Sequence, residues 1–172
     1  MTLSTISVYA AVLPLVGVIL GSWLTGRERA RSWSRDNQSR LREERRLAYS
    51  RFLTAVREYV AFALGSSAKI EAQPHPTDPR ILIPILDDAG TKYRQQLDAA
   101  HVGVRLVASS GAIVEKAHSL ARAARQAVAS RATSPSGLIP SDTYVAVWSI
   151  ERDFVDAVRA EIGLPALERQ EV

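Results

Sequence analysis

The feature that most constrains this chain is an uncharged run close to its amino terminus. The 19 residues at positions 6–24 read ISVYAAVLPLVGVILGSWL and contain no charged side chain. As a helix this run measures roughly 28 Å, close to the ~30 Å hydrocarbon core of a bilayer. Tyr9 and Trp23 lie near its two ends, where amphipathic rings favour the membrane interface. We therefore predict a transmembrane anchor in residues 1–26, followed by one folded domain in residues 27–172.

The arginines that follow this run set its direction. Residues 1–26 contain no lysine or arginine, whereas four arginines follow at once, namely Arg27, Arg29, Arg31 and Arg35. Basic residues that flank a membrane segment stay on the cytoplasmic side. We therefore expect a single-pass protein of the cell membrane, with its short N-terminus outside and its folded domain in the cytoplasm.

The same basic segment is a candidate for contact with lipid headgroups. Between Arg27 and Arg51 there are 9 arginines and 4 acidic residues, a net charge of +5, against +4 for the whole chain. Arginines close to a membrane attract anionic lipid by about 1 kcal/mol each. The alternative is that they only enforce topology and keep a polar helix solvated. Nucleic acid is a less favoured partner, because the segment lacks interleaved aromatic residues apart from Trp33 and contains no known binding module.

A row of small residues in the anchor is a candidate surface for self-association. Gly17 and Gly21 form a G-x-x-x-G pair, and Thr25 lies one step further on the same helical face. Small residues at this spacing let two membrane helices approach closely. Glycine is also common in membrane helices without any such role, so a homo-oligomer is one of two interpretations.

The rest of the chain has the periodicity of helices. Apolar residues recur at intervals of three and four, and strand signals are nearly absent. Loops rich in proline, glycine and serine, at residues 65–80 and 133–140, separate the periodic segments. We predict helices over residues 27–64, 81–108, 110–132 and 142–162. The fold class is therefore all-α: an N-terminal transmembrane helix that continues into a cytoplasmic antiparallel bundle of three to four helices.

The boundary between the second and third helices depends on a short polar segment. Ser109, Ser110 and Gly111 favour a break, with Ser110 as the cap of the third helix. One continuous helix through this point is the alternative, since only the glycine opposes it.

The last helix has a clear start, stripe and end. We expect Ser141 or Asp142 to cap it, and Gly163 followed by Pro165 is the order expected at a helix C-terminus. Trp148 and Phe154 lie on its apolar stripe, so both are predicted to be buried.

Two short motifs are candidates for a metal site. Asp98-x-x-His101 and Glu115-x-x-His118 each place an acid and a histidine on one helical face, as in di-iron carboxylate bundles. If the chain reverses near residue 110, the two motifs can face each other, and Glu151 on the last helix is a further carboxylate. The alternative, which we favour, is that the histidines are solvated or hydrogen-bonded and that Glu151 pairs with an arginine of a neighbouring helix.

Signatures of catalysis are not found. The chain has no cysteine, which excludes disulfides, thiolate metal sites and cysteine nucleophiles. It also lacks a Ser/His/Asp set, a phosphate-cradling loop and an H-E-x-x-H motif. We therefore predict no enzyme and assign no catalytic residue, metal or cofactor.

One stretch behind the anchor resembles a group of small actinobacterial single-pass membrane proteins. It runs from Arg45 to Ala55 and follows the pattern R-x-x-A-Y-x-x-F-L-x-A. Residues 154–163, FVDAVRAEIG, are similar to the closing helix of the same group. The resemblance implies a helical hairpin or bundle, and it implies no activity, because no function is established for the group.

These observations favour a non-enzymatic helical protein that is tethered to the inner face of a membrane as a scaffold or protein-interaction module. Its expected partners are the lipid bilayer and a second protein, either another copy of the chain or a different membrane or cytoplasmic protein. Two alternatives stay open: a metal-binding helical-bundle enzyme or sensor, and a basic module that binds anionic lipid or nucleic acid.

Overall fold

The computed structural model describes residues 38–165 of the chain. Helix α1 is described over residues 38–64 and is followed by β1 (Ile70–Pro74), β2 (Leu82–Leu86), α2 (Asp88–Val107), α3 (Gly111–Thr133) and α4 (Ser141–Glu161). The chain divides into two compact units, Met1–Arg42 and Glu43–Val172. Of the first unit, residues 38–42 are described, and they are helical and exposed. The second unit contains the hairpin, the hydrophobic core and helices α2 to α4.

Contacts between rings give the relative direction of α1 and α2. The ring of Phe52 lies 5.9 Å from that of His101, measured between centroids, and Phe62 stacks on Tyr93 at 5.4 Å. Residue numbers therefore rise along α1 as they fall along α2. The two helices are antiparallel.

The other helices continue this alternation. On α3, Arg125 is paired with Asp98 of α2, and His118 lies beside His101. Helix α3 therefore runs opposite to α2. On α4, Glu161 accepts a hydrogen bond from Tyr49 and Glu151 accepts one from Arg57, which makes α4 antiparallel to α1. The antiparallel arrangement predicted for the helices is confirmed for residues 43–165.

The core lies between these helices. Phe52 and Phe154 are fully buried and meet edge to face at 5.3 Å; burial of one such side chain contributes about 1.5–3 kcal/mol. Helix α3 presents mostly small side chains to the core, and its fully buried residues are Ala117, Leu120, Ala121, Ala124, Ala127, Val128 and Ala129. Because alanine projects so little, other elements approach α3 closely, and α3 contacts both strands as well as α2 and α4.

A short hairpin shows that the prediction of an all-α fold holds only in part. Strands β1 and β2 pair in antiparallel register, with Ile70 opposite Leu86 and Pro74 opposite Leu82. We predicted a loop up to residue 80 and a helix from residue 81. The described part of the chain is instead mostly helical with one two-stranded sheet.

The sequence of β2 explains this difference. Residues 81–86 read ILIPIL, and β-branched isoleucine favours the extended backbone of a strand. Pro84 lacks an N–H group, but a two-stranded sheet has only edge strands, where proline is tolerated. The second helix therefore begins at Asp88 rather than at residue 81, and the carboxylate of Asp87 caps it by accepting the Gly90 N–H at 2.8 Å.

Gly90 allows the start of α2 to pack directly on its neighbours. A Cβ atom at this position would lie 2.6 Å from a ring carbon of Phe62 and 2.9 Å from the Cβ of Leu86. Both separations are shorter than side chains tolerate. Because Gly90 has no side chain, α1, β2 and α2 can pack this closely together.

The other boundaries within residues 38–165 agree with the predicted ones to within one residue, and the predicted start of the first helix at residue 27 lies outside the described residues. The break between α2 and α3 is confirmed, and the hydroxyl of Ser110 accepts the Ile113 N–H as its cap at 3.4 Å. The predicted cap of the last helix was wrong, because Pro140 occupies the cap position and forms no side-chain capping bond. Beyond α4, Gly163 adopts a positive φ of 79°, as a helix-ending glycine does.

Candidate functional site

The two acid–histidine motifs are brought together only in part. The rings of His101 and His118 lie 5.9 Å apart, because α2 and α3 form a tight antiparallel pair. Both histidines and Glu115 line a surface cleft of about 450 Å³. The fourth member of the motifs, Asp98, is paired instead with Arg125 at 2.5 Å. The cleft therefore combines two imidazoles and the guanidinium of Arg105 with one carboxylate.

The electrostatics of this cleft oppose a cation. Burial lowers the pKa of His101, and the charges of Arg125, His118 and Arg105 lower it further. The Nε2 atom of His101 is buried and has no hydrogen-bond partner among the described residues. Within residues 38–165, no three His, Asp or Glu side chains lie close enough together to hold a metal ion. His101 is best described as a neutral imidazole packed on Phe52.

Glu151 forms the ion pair that the sequence led us to favour. It is only 5% exposed, and its Oε1 accepts hydrogen bonds from Nε and Nη2 of Arg57 at 3.0 Å and 2.6 Å. The Arg57 side chain is 61% exposed. Its guanidinium carbon lies 5.9 Å from the ring centroid of Trp148, which is within cation–π range. The carboxylate and the indole together hold Arg57 at the surface between α1 and α4.

This surface contains an apolar groove, which we name the Trp148 groove. Trp148 is 46% exposed, Tyr144 meets it edge to face at 5.9 Å, and Leu64 on α1 is 48% exposed. The groove is lined by Val56, Arg57, Val60, Ala61, Leu64, Tyr144, Val147, Trp148 and Glu151. The prediction that Trp148 is buried was therefore wrong.

The spacing of the buried residues explains the position of Trp148. The buried stripe of α4 consists of Val147, Glu151, Phe154 and Val158, at intervals of four, three and four residues. Trp148 follows Val147 directly, which rotates it by about 100° around the helix, towards the rim of the stripe. Sequence periodicity did not distinguish these two adjacent positions.

Size and charge limit what the groove can hold. Its volume of about 210 Å³ is below the roughly 300–1,000 Å³ of typical small-molecule pockets, so it suits individual side chains of a partner. Arg152 lies one turn beyond Trp148 on the same face of α4 and is exposed. Within residues 38–165, Arg152 forms no hydrogen bond or ion pair. The rim therefore carries two arginines, of which one is uncompensated.

The residues predicted to act at the membrane lie outside the described part of the chain. These are Gly17, Gly21, Thr25, Arg27, Arg29, Arg31 and Arg35, all of which precede residue 38. Over residues 38–165, no helix has the length and apolar character needed to cross a membrane. The anchor, its direction and its lipid contacts therefore stay predictions.

The chain matches no protein-family model. No curated protein sequence and no solved structure matches it significantly either. The resemblance to actinobacterial membrane proteins thus stays a prediction.

The two segments that carry that resemblance contact each other in the folded unit. The hydroxyl of Tyr49 donates to Glu161 at 2.7 Å, and the Nε atom of Arg45 lies 3.7 Å from the same carboxylate. Tyr49 also meets Phe154 edge to face at 6.1 Å. These motif residues therefore hold α1 against α4.

Glu161 is the centre of this contact, and we name Arg45, Tyr49, Ser109 and Glu161 the Glu161 clasp. The backbone N–H and the hydroxyl of Ser109 both donate to the Glu161 carboxylate. Burial raises the pKa of Glu161, but the hydrogen bonds from Ser109 and Tyr49 and the charge of Arg45 outweigh it, so the pKa lies below its ordinary value. The same burial and hydrogen bond raise the pKa of Tyr49 far above its ordinary value.

Proposed function

We propose that the chain is a membrane-tethered helical module whose folded unit binds an acidic amphipathic helix of a partner protein through the Trp148 groove. The observation that carries this proposal is the exposure of Trp148, which is 46%, in an apolar groove between α1 and α4. The tether rests on the uncharged run at residues 6–24.

The composition of the groove supports a protein partner. Tryptophan, tyrosine and arginine contribute most of the binding energy at protein interfaces, and all three meet here. Tyr144 and Arg57 both contact Trp148, so the indole is already oriented before a partner arrives. Binding therefore loses little side-chain freedom, which favours affinity.

The shape and charge of the groove indicate the kind of partner. It lies between two helices, the geometry in which an amphipathic helix inserts its apolar side chains. Arg57 and Arg152 give the rim a positive charge, because Glu151 compensates only one of them. Carboxylates that flank the apolar anchors of a partner helix would complement this rim.

Site-specific photo-cross-linking in living cells tests the proposal. A photoreactive phenylalanine analogue is placed at position 148 of the full chain, and cross-linked peptides are identified by mass spectrometry. We expect one partner segment with apolar residues at helical spacing and acidic residues beside them. The matched control is the same analogue at Leu106, which is 80% exposed on α2 and is expected not to capture that segment.

Two variants make this test decisive. The photoreactive analogue is now placed at Leu64, on the other wall of the groove. Arg152→Glu is expected to reduce the yield of the same cross-linked segment. Lys92→Glu, which changes an exposed residue of α2, is expected to leave that yield unchanged. Cross-linking of position 148 to a second copy of the chain, or equal capture at position 106, would contradict the proposal.

A further inference from the structure

A second cleft lies between the hairpin, α3 and α4. Its volume is about 700 Å³, within the roughly 300–1,000 Å³ of small-molecule sites. The residues that matter here are Arg80 from the hairpin loop, Lys116, Ser119 and Arg122 from α3, and Ile150 and Asp153 from α4. We name this the hairpin cleft.

The walls of the hairpin cleft are held in place. Lys116, Ser119 and Arg122 follow each other at intervals of three on α3, so they share one helical face. The loop that carries Arg80 is fixed, because the backbone N–H of Arg80 donates a hydrogen bond to the Asp78 side chain at 3.1 Å. The side chain of Gln126 accepts the Leu82 N–H at 3.4 Å, which ties β2 to α3.

The charges of the hairpin cleft are not balanced internally. Among residues 38–165, the side chains of Arg80, Lys116 and Arg122 form no hydrogen bond or ion pair. The lining contains two carboxylates, Asp78 and Asp153. Asp78 accepts the Arg80 N–H but keeps its negative charge. The cleft thus carries three cationic side chains against two carboxylates, a net charge of +1.

We propose that the hairpin cleft binds a soluble phosphate monoester that also carries hydroxyl groups, as a sugar phosphate does. Two arginines, a lysine and the hydroxyl of Ser119 supply the charge-assisted donors that a phosphate dianion needs. Phosphate alone would leave most of the volume empty. The remaining space borders Ile150 and Asp153, and a free carboxylate there accepts hydrogen bonds from ligand hydroxyl groups.

Calorimetric titration of the full chain in a neutral detergent tests this assignment. We expect glucose 6-phosphate to bind and glucose not to bind, because the cations recognise the phosphate. Lys116→Gln and Arg122→Gln are each expected to weaken binding by about tenfold or more, the effect of losing one charge-assisted hydrogen bond. Lys92→Gln and Arg51→Gln are matched controls, since both residues lie outside the cleft, and should leave the affinity unchanged.

The role of Asp153 separates a built sugar-phosphate site from a general anion site. Asp153→Asn is expected to tighten inorganic phosphate, by removing repulsion, and to weaken glucose 6-phosphate. Vesicles of phosphatidylcholine with phosphatidic acid distinguish a lipid headgroup from a soluble ligand, and we expect the Arg122→Gln variant to bind them as the wild type does. Absence of glucose 6-phosphate binding, equal loss in the Lys92→Gln control, or vesicle binding that depends on Arg122 would overturn the proposal.

Discussion

Truncation of Phe154 measures how much the contact between α1 and α4 stabilises the folded unit. Phe154 is fully buried and meets Tyr49 and Phe52 edge to face at 6.1 Å and 5.3 Å. Phe154→Ala removes the ring and leaves a cavity, at a cost of about 3–5 kcal/mol. In a domain of this size 1 kcal/mol lowers Tm by about 3–5 °C, so we expect a loss of roughly 10–20 °C.

The stability loss of Phe154→Ala is to be compared with that of Trp148→Ala. Trp148 is 46% exposed. Its truncation is therefore expected to cost about half of the roughly 1.5–3 kcal/mol that full burial of a large apolar side chain contributes. Water can enter the groove, and no closed cavity remains. Urea titrations of the full chain in mild detergent, followed by far-ultraviolet circular dichroism, should rank the variants in that order, with Leu106→Ala near zero. Equal losses for Phe154→Ala and Trp148→Ala would refute the open groove.

Further predictions concern topology, association and pH. A reporter that is active only in the cytoplasm should be active when fused after Val172, and activity of a periplasm-dependent reporter instead would reverse the orientation. Replacing Gly17 and Gly21 with isoleucine should weaken self-association in a membrane two-hybrid assay; unchanged association would make them ordinary membrane glycines. Because the pKa of Glu161 in the folded state lies below its ordinary 4.5, the contribution of Glu161 to the free energy of unfolding is lost as the pH falls through the folded pKa. Urea titrations should then show a steeper acid loss for the wild type than for Glu161→Gln, and parallel curves would exclude this role. The folded pKa of His101 lies below its ordinary 6.5, so stability should decline as the pH falls from 6.5 towards the folded value, and His101→Gln should flatten that decline.

The helices were predictable because their signals are local. The loop residues that end α1 and α3, and Ser110 at the start of α3, mark boundaries through turn and capping chemistry. The hairpin was missed because the apolar run ILIPIL was assigned to the start of the second helix. Only the pairing of Ile70 with Leu86 settles the strand, and that contact is not local.

The candidate sites depended even more on contacts across the fold. The sequence indicated that Glu151 would pair with an arginine, and Arg57 is that partner. The sequence also predicted that Trp148 is buried. Periodicity alone cannot tell which of two adjacent apolar residues faces the core, because that depends on the position of the neighbouring helix. The hairpin cleft joins Arg80 to Arg122 across 42 positions of the sequence, and no local pattern marks that juxtaposition.

The Glu161 clasp also has a consequence for the order of folding. It joins Tyr49 to Glu161 across 112 positions, whereas the pair of Asp98 and Arg125 spans only 27. Closing the longer loop costs about 1 kcal/mol more chain entropy, and distant contacts form more slowly. We therefore expect α2 and α3 to associate early and α4 to dock on α1 last. We also expect the native state to open first at this contact between α1 and α4. That opening exposes the aromatic side chains at the contact while α2 and α3 stay paired.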